Sequence, residues 1–436
     1  MLGSTVALGA RAKGRTPLGG RVSLRAPWPV GPIDPHRLDD PIAALFGEAL
    51  FDTLFVGDDS GGYAPALADG EPDIEGSTIK VKVRLGLKTA REKPFGTKDA
   101  AFAIARARAS GARGWLGDVP VPREDGRALY FVVKDPAKDL PRLKAALASP
   151  LVAMTPLGFS PETPDGTGPF RWGIRDGALA LTRNRFAARG PAFLDEVVVR
   201  SAASVSASLL AFEGGTDDIG WFERGLHEPR AGSKAFDFGA VGWAMLFTGR
   251  DANNWDGPGI AQRIADGIPY ARLSSLHVGA AWTPDPAQGW GGPPTTLLVR
   301  EDAPWLIEVA NVVAATISRP SHEVTVKAVP ATEMAARRAS RLFGLALDVV
   351  RHPGGGSLGA AVAMATANDP SRAADVVAHP PKLAPDVPAR TLTRTYRCGV
   401  VGEIKLSGGR MPDLVLVPSP TGFGVDLGAS YRARAR

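Results

Sequence analysis

The sequence of 436 residues has little cysteine, little net charge and no long hydrophobic run. Cys398 is the only cysteine, which excludes an internal disulfide and a cysteine-based metal site. Because no run of about 18 apolar residues occurs, we expect no membrane-spanning helix. The 51 basic residues exceed the 45 acidic ones only slightly, and they form no basic stripe with interleaved aromatic residues. Nucleic acid is therefore a poor candidate partner.

Motifs of catalysis and of metal binding are also absent from the sequence. The six histidines are dispersed and show no His-x-x-x-His spacing, which argues against a metal site. No Walker lysine follows a glycine-rich loop, and no Gly-x-Ser-x-Gly motif has a plausible base beside it. Adjacent carboxylates such as Asp217 and Asp218 point apart on a strand, so they seldom form an acid–base pair. We therefore expect no enzyme, no catalytic residue and no cofactor.

Length and turn-forming residues indicate a chain with several units. A chain of 436 residues exceeds the size at which one core stops growing, so two or more lobes are expected. The 51 Gly and 38 Pro residues indicate many short elements and turns. We expect residues 1–19 to be a disordered leader, because they are small, polar and basic and lack periodicity. They show neither the apolar core of an export signal nor a lipobox cysteine, so either the signal has been removed or export does not use one.

Residues 295–365 alternate between predicted strands and predicted helices. Strand patterns lie at 296–299, 324–329 and 342–349, and helical patterns lie at 302–317, 332–338 and 356–365. Such a βαβαβ series predicts a mainly parallel sheet that is covered by helices. The fold class expected from the sequence is therefore α/β.

Short motifs follow one another in a characteristic order along the first half of the chain. They are Asp34-Pro35-His36, Tyr63 to Ala68, Val83 to Gly86, the Gly-Thr-Gly-Pro turn from Gly166 to Pro169, Leu181 to Asn184, Leu194 to Glu196, and Asp218-Ile219. This order resembles that of the peptide/nickel-type solute-binding proteins of ABC importers, which are also called family 5. The resemblance covers roughly residues 19–350, and the shared order of the motifs carries it.

The resemblance implies a two-lobed periplasmic-binding-protein-like fold of type II with an extra small subdomain, which is trimmed here. In this outline residues 20–290 form the first lobe, and about residues 87–150 of it form the subdomain. Residues 291–395 form the second α/β lobe. Residues 396–436 form a basic tail and the strands that return to the first lobe. A receptor of this kind closes on its ligand by a hinge motion between the lobes.

Tryptophans are concentrated between residues 221 and 290, on the expected cleft side of the lobes. Trp221, Trp243 and Trp255 are candidate ligand contacts, because aromatic walls suit a binding cleft. Packing in the core or between the lobes is the alternative, since tryptophan is usually mostly buried. Trp221 and Trp243 are the preferred candidates within this group.

The expected ligand anchor departs from the family pattern. Peptide receptors of this family hold the peptide amino group with an Asp just after the third strand of the second lobe. Here Arg351 and His352 fall near that position, and Arg351 would repel a cation. The ligand is then anionic or not a peptide, or no ligand is bound. Asp348 is a substitute anchor, although inside a strand we expect it to face solvent or a turn.

Two functions remain open from the sequence. The first is an extracytoplasmic, periplasmic solute-binding protein of an ABC importer, with a peptide-like or other small polar ligand and an ABC permease as its partners. The second is a structural or adaptor paralogue of this fold in a multi-protein assembly. The missing Asp anchor, the trimmed subdomain and the missing export signal motivate it. An open cavity with polar anchors favours the first function, whereas a filled or collapsed cleft favours the second.

Overall fold

The computed structural model describes most of the chain. The described residues are 16–26, 30–58, 61–221, 232–269, 272–273, 289–354, 356–379, 381–382, 388–420 and 424–433. Residues 1–15 of the predicted leader therefore lie outside this set. Within it, strands and helices combine as expected for an α/β protein, so the predicted fold class is confirmed. No helix of the described part is both long enough and apolar enough to cross a bilayer.

One curled sheet of eleven strands forms the centre of the molecule. In spatial order its strands are β15 (Val324–Val329), β14 (Thr295–Arg300), β16 (Leu345–Arg351), β13 (Lys234–Thr248), β17 (Cys398–Arg410), β12 (Ile219–Trp221), β1 (Arg21–Ala26), β11 (Glu196–Ser201), β10 (Ala178–Arg183) and β8 (Phe170–Arg171), with β9 (Ile174–Arg175) paired to β10. Strands β14, β15 and β16 run parallel, as do β1, β11 and β12. The sheet therefore continues from one lobe into the other.

The two long strands β13 and β17 carry this sheet between the lobes. At one end they pair with each other around Lys234 and Arg410, and there β17 also pairs with β12 of the first lobe. At the other end, Gly242 to Thr248 of β13 pair with β16 of the second lobe. The register between β13 and β17 shifts three times between Asp237 and Met245, so the ladder is irregular where the chain crosses.

The second lobe contains the predicted βαβαβ series. Helix α6 (Pro304–Ile317) connects β14 to β15, and α7 (Ala331–Ser340) connects β15 to β16. Alternate residues of β16 point to opposite faces of the sheet. Leu347 packs in the same core as α6. Ala346 and Val350 share a core with α7 and with α8 (Gly356–Asn368). Helices therefore cover both faces of this part of the sheet.

A separate four-stranded antiparallel sheet forms the small subdomain. Its strands are β4 (Asp73–Glu75), β5 (Thr78–Lys82), β7 (Ala128–Val132) and β6 (Arg123–Glu124), and its helices are α2 (Thr97–Ala109) and α3 (Pro136–Leu147). The sheet begins ahead of the predicted start near residue 87. The apolar core of the subdomain includes Val362 and Ala365 of α8, and Ala373 of α9 (Pro370–Ala378). The subdomain therefore packs directly on the second lobe.

The remaining elements are short. They are α1 (Pro41–Leu50), β2 (Phe55–Gly57), β3 (Tyr63–Pro65), α4 (Val205–Glu213), α5 (Ile260–Asp266), α10 (Ala389–Leu392), β18 (Leu414–Pro418), β19 (Val425–Arg432), and single 3-10 turns at Pro150–Val152, Arg250–Trp255 and Thr393–Thr395. Arg432 of β19 donates to the Arg21 carbonyl at 2.9 Å, so β19 lies against β1.

The turn from Gly166 to Pro169 crosses the end of α1. The N–H of Gly168 donates to the Leu50 carbonyl at 3.0 Å, and the Thr167 hydroxyl donates to Asp52 at 2.8 Å. A Cβ on Gly166 would lie 2.3 Å from the Leu50 oxygen, and one on Gly168 would lie 2.5 Å from the Leu50 carbonyl carbon. Only glycine allows so close a crossing. These contacts hold the turn against the end of α1, which is a structural role.

Candidate ligand-binding site

The inter-lobe seam is the contact between residues 34–40, which precede α1, and residues 351–352 at the end of β16. The main-chain N–H of Arg351 donates to the Leu38 carbonyl at 2.9 Å. The Arg351 guanidinium donates through Nη1 to the Pro35 carbonyl at 3.0 Å. The seam is therefore closed by direct hydrogen bonds between the lobes.

Arg351 is a buried cation within the seam. It is 2% exposed, and its Nε has no hydrogen-bond partner among the residues that the structure describes. Burial lowers the pKa of Arg351, while the negative charge of Asp40 acts in the opposite direction. Arginine nevertheless stays charged in proteins. Because Nη1 donates to the main chain of the first lobe, Arg351 closes the seam and does not line an open cleft.

His36 and Asp34 organise the first-lobe side of the seam. Arg106 of α2 donates to the two Asp34 oxygens at 2.7 and 2.6 Å, and to Nδ1 of His36 at 2.8 Å. Nε2 of His36 then carries the proton and donates to the Ala153 carbonyl at 2.7 Å. Burial lowers the pKa of His36 to about 4. The Asp-Pro-His turn is thus held to the subdomain by an arginine that the sequence analysis did not single out.

Trp243 and His352, two of the predicted ligand contacts, pack on each other behind the seam. Their rings lie 5.1 Å apart, and both residues are buried. The N–H of Gly354 donates to Nδ1 of His352 at 3.1 Å. Burial lowers the pKa of His352 to about 3, so its imidazole is neutral at physiological pH. The structure therefore brings these two residues together, as neighbours in a packed region.

Asp348 lies inside the second lobe, contrary to the expectation that it faces solvent or a turn. It is 1% exposed and accepts a hydrogen bond from Nη1 of Arg338 at 2.8 Å. The Arg338 guanidinium lies over Phe247, 4.0 Å from the ring centre. Burial raises the pKa of Asp348, and the charge of Arg338 opposes that shift. The expectation was wrong because α7 and α8 cover the face of β16 to which Asp348 points.

The other two predicted contacts lie apart from this group. Trp255 is half-buried and packs against the fully buried Trp290, with 5.4 Å between the ring centres. Trp290 donates its indole N–H to the Pro293 carbonyl at 2.8 Å. The backbone of Trp221 ends β12, but its side chain lies outside the described part of the structure. Ligand contact by these tryptophans stays a prediction.

A cavity of about 640 Å³ lies beside the seam, between α7 and the junction of α8 with α9. Its lining residues are Asp39, Phe247, Thr248, Arg250, Ala335, Arg338, Ala339, Arg341, Phe343, Thr366, Ala367, Asn368, Asp369, Arg372 and Arg397. We call it the arginine cavity. A smaller cavity of about 280 Å³ shares four of these residues and continues to Ser110 and Gly111 of the subdomain. The two cavities together thus reach the first lobe, the subdomain and the second lobe.

Three arginines of the cavity are held by carboxylates. Arg338 is paired with Asp348 at 2.8 Å, and Arg341 is paired with Asp256. Arg397 lies 3.4 Å from the same Asp256 carboxylate and donates to the Asp256 main-chain carbonyl at 2.8 Å. Such pairs fix the position of a long side chain before any ligand arrives. These three guanidinium groups are therefore positioned by the protein itself.

Arg250 and Arg372 line the same cavity and are exposed. Neither side chain has an ion pair or a hydrogen bond with any residue that the structure describes. The lining carboxylate Asp39 is already engaged, because Arg37 donates to both of its oxygens at 2.9 Å. Asp369 also has an interaction partner. The cavity therefore presents two exposed arginines, while Asp39 in its lining is occupied by Arg37.

Sequence reasoning missed the arginine cavity because its charged residues lie between positions 39 and 397. The only local signal is the run of Arg337, Arg338 and Arg341 at the end of α7. In the described part of the chain, no three metal-ligating side chains converge on one point. The geometry therefore offers guanidinium groups and two aromatic rings, Phe247 and Phe343, as its binding chemistry.

Comparisons with known proteins define the fold. No family model matches the chain, and no match was found among curated proteins. NikA from Staphylococcus aureus, solved in complex with Ni(L-His)2, matches with a TM-score of 0.67 and 13% identity over 94% of this chain and 100% of that chain. The oligopeptide-binding protein AppA from Bacillus subtilis, solved with a nonapeptide, matches with a TM-score of 0.67 and 13% identity. The match covers 96% of this chain and 100% of that chain.

A third match is DppA from Helicobacter pylori, an ABC transporter-associated periplasmic binding protein solved with the peptide STSA. Its TM-score is 0.67 and its identity is 15%, over 96% of this chain and 99% of that chain. The chain has the fold of the family 5 solute-binding proteins. The two-lobed fold predicted from the motif order is thereby confirmed. At these identities the family 5 likeness concerns the fold alone.

Proposed function

We propose that this chain is an extracytoplasmic solute-binding protein of an ABC importer, and that it takes a small polar ligand into the arginine cavity. The observation that carries the proposal is the place of this cavity on a family 5 fold. The first lobe contributes Asp39, the second lobe contributes most of the wall, and the adjoining space reaches Ser110 of the subdomain. A volume of about 640 Å³ lies within the usual range for small-molecule sites.

The relatives of known structure support a binding role. NikA, AppA and DppA were solved with a nickel–histidine complex, a nonapeptide and the peptide STSA, and AppA and DppA are described as binding proteins. We therefore propose that the chain is a non-catalytic periplasmic receptor that works with an ABC permease. The alternative role, an adaptor of the same fold in a protein assembly, gains no support from these relatives.

Ligand binding would change the relative position of the lobes through β13 and β17. We expect the lobes to move about β13 and β17, because these strands join the two lobes and their pairing is irregular between Asp237 and Met245. A ligand that reaches both Arg37 of the first lobe and Arg338 of the second lobe makes those contacts only when the lobes are together. It therefore shifts the population toward the closed form, which is the form that a permease would recognise.

The residues named from the sequence take a different place in this proposal. Asp348 acts by holding Arg338, and Arg351 acts by holding the seam closed. Trp243 and His352 support the wall behind the seam. We propose direct ligand contact for the arginines of the cavity, whereas contact by Trp243, Asp348, Arg351 and His352 stays a prediction.

A ligand panel tests the receptor function. Peptides, organic acids, sugars, amines and nickel–histidine are added to the purified protein, and the thermal midpoint and the heat of binding are measured. We expect at least one class to stabilise the protein, by about 2.7 kcal/mol at a concentration one hundred times its dissociation constant. Mass spectrometry of small molecules released by denaturation extends the search to ligands that are already bound.

A pair of variants on one helix places that response in the cavity. Ala339 lines the cavity and Ala336 does not, although both are exposed residues of α7. We expect Ala339→Trp to remove the response to ligand by filling the cavity, and Ala336→Trp to keep it. The receptor function is contradicted by a panel that leaves the thermal midpoint unchanged together with the absence of any released ligand.

A further inference from the structure

The charge of the arginine cavity bears on the class of ligand, and the argument rests on the proposed function. Five arginines line the cavity, whereas the lining carboxylates are Asp39 and Asp369. Asp256 and Asp348 stand behind three of the arginines, and Arg37 adds a further positive charge beside Asp39. Counting these ten groups as ionised, six cations face four anions, which leaves an excess of positive charge.

The three carboxylates that are paired with arginines are poor anchors for a cationic ligand. Asp39 accepts two hydrogen bonds from Arg37, Asp348 accepts one from Arg338, and Asp256 is shared by two arginines. An amino group would have to displace one of these guanidinium groups and would meet the repulsion of the others. A basic peptide or an amine is therefore disfavoured at this site.

The arginines, in contrast, keep donors available. A guanidinium group has five N–H donors, and the Arg338–Asp348 hydrogen bond uses one of them. Arg250 and Arg372 have no ion pair within the described residues, so no described carboxylate is paired with either of them. Planar guanidinium groups bind carboxylate and phosphate oxygens through paired hydrogen bonds. A cavity that gathers such groups also attracts anions from a distance.

We infer that the ligand of this cavity is a small acid with at least two negative charges, and that Arg250 and Arg372 bind its oxyanion groups. The shared chemistry is an oxyanion, which a polycarboxylate or a phosphorylated small molecule supplies. Arg338, Arg341 and Arg397 are the arginines already positioned by protein carboxylates, so they orient the ligand once it has entered.

Calorimetry with probes of matched size and different charge tests this inference. Citrate and the dipeptide Asp-Asp represent carboxylates, glucose 6-phosphate represents phosphates, and Ala-Ala and Lys-Lys are the neutral and cationic comparisons. We expect an acidic probe to bind about tenfold or more tighter than Lys-Lys, and its affinity to fall as salt is added. The carboxylate and phosphate probes together show which source of the oxyanion the cavity prefers.

The arginine variants test the assigned residues. We expect the double change Arg250→Gln and Arg372→Gln to weaken the acidic probe by about tenfold or more, without lowering the thermal midpoint of the free protein. Arg171→Gln is the matched control, because Arg171 is exposed on β8 at the opposite end of the sheet. It should leave the affinity unchanged. Equal binding of the acidic probe by the double variant and the original protein would overturn the assignment.

Failure of this inference can be told apart from failure of the receptor function. If Ala-Ala or Lys-Lys binds best, and Ala339→Trp removes that binding, the acidic ligand class is overturned and the receptor function stands. If no probe binds, no panel compound stabilises the protein and no ligand is released on denaturation, both are overturned.

Discussion

The seam and the arginine cavity are neighbouring regions that use the same residue type in opposite ways. Arg351 in the seam is 2% exposed and donates to the main-chain carbonyls of Pro35 and Arg37. Arg250 and Arg372 in the cavity are exposed, and no described residue takes up their charge. The difference lies in what surrounds the guanidinium group. Where the chain itself supplies acceptors, arginine joins the lobes, and where it supplies none, arginine is available to a ligand.

The comparison also separates two sources of closure. The seam is held by the chain's own hydrogen bonds, whereas in the proposed function a ligand adds contacts across the cavity. A change that damages the seam should therefore lower stability without any ligand present. A change in the cavity should alter ligand affinity and leave the free protein almost as stable as before.

Acid should weaken the seam before it affects the cavity. Burial lowers the pKa of His36 to about 4 and that of His352 to about 3, from an ordinary value of 6.5. Between the lowered pKa of each histidine and its ordinary value, the unfolded chain binds more protons than the folded chain. Stability is therefore lost as the pH falls through that range. Each histidine should remove about 2 kcal/mol from the free energy of unfolding between about pH 7 and about pH 5, or about 4 kcal/mol together. Urea unfolding at several pH values measures this loss.

Substitution isolates the histidine contribution from that of other groups. Arg106, Asp34 and Arg351 surround His36, and burial raises the pKa of Asp40, which acts in the opposite direction. The pH dependence should become shallower in His36→Gln and in His352→Gln, each compared with the original protein. An equally steep loss of stability in both variants would show that these histidines do not cause it.

Removal of Arg351 should produce the next largest effect. Arg351→Ala leaves a cavity and deprives the carbonyls of Pro35 and Arg37 of a donor, so we expect a loss of about 3 kcal/mol. Arg351→Met keeps most of the volume and loses only the donors, so it should lower stability by about 1 to 2 kcal/mol. Chemical unfolding of the ligand-free proteins gives both values. Equal stability of Arg351→Met and the original protein would mean that these hydrogen bonds do not hold the seam.

A smaller effect is expected where the subdomain meets the second lobe. A Cβ on Gly114 would lie 2.1 Å from Cβ of Ala373 and 2.8 Å from the Thr366 hydroxyl. Gly114→Leu should therefore force the subdomain away from α8 and α9 and lower stability by about 2 kcal/mol. Hydrogen exchange should rise in both helices. Gly47→Ala is the control, because nothing lies within 4 Å of the added Cβ, and within α1 it should be neutral or stabilising.

The Gly114 contact also bears on the cavity, because Thr366 lines it. If Gly114→Leu lowers both stability and ligand affinity, the subdomain helps to shape the cavity wall. If it lowers stability while the affinity stays unchanged, the second lobe alone determines the wall, and the comparison between seam and cavity becomes sharper.

Much of the fold could be predicted from the sequence, because its signals are local. The strand at 324–329 and the helix that ends at Ile317 follow from hydrophobic periodicity over a few residues. The glycines at 166 and 168 mark a close approach of two backbone segments, which no other residue permits. Asp348 shows the limit of such reasoning. Its position in a strand was recognised, but its face was not, because α7 and α8 pack over it only in the folded chain.

The α/β pattern and the order of motifs that leads to a family 5 fold are already present in the sequence. The resemblance also predicts that Arg351 and His352 fall near the position of that family's acidic anchor. Only the tertiary structure decided that Arg351 donates to Pro35 and Arg37, which are more than 300 positions away in the chain. It also brought Arg250, Arg338 and Arg372 to one cavity. The physical reason is that the availability of a charged side chain depends on acceptors and burial, and distant segments supply both.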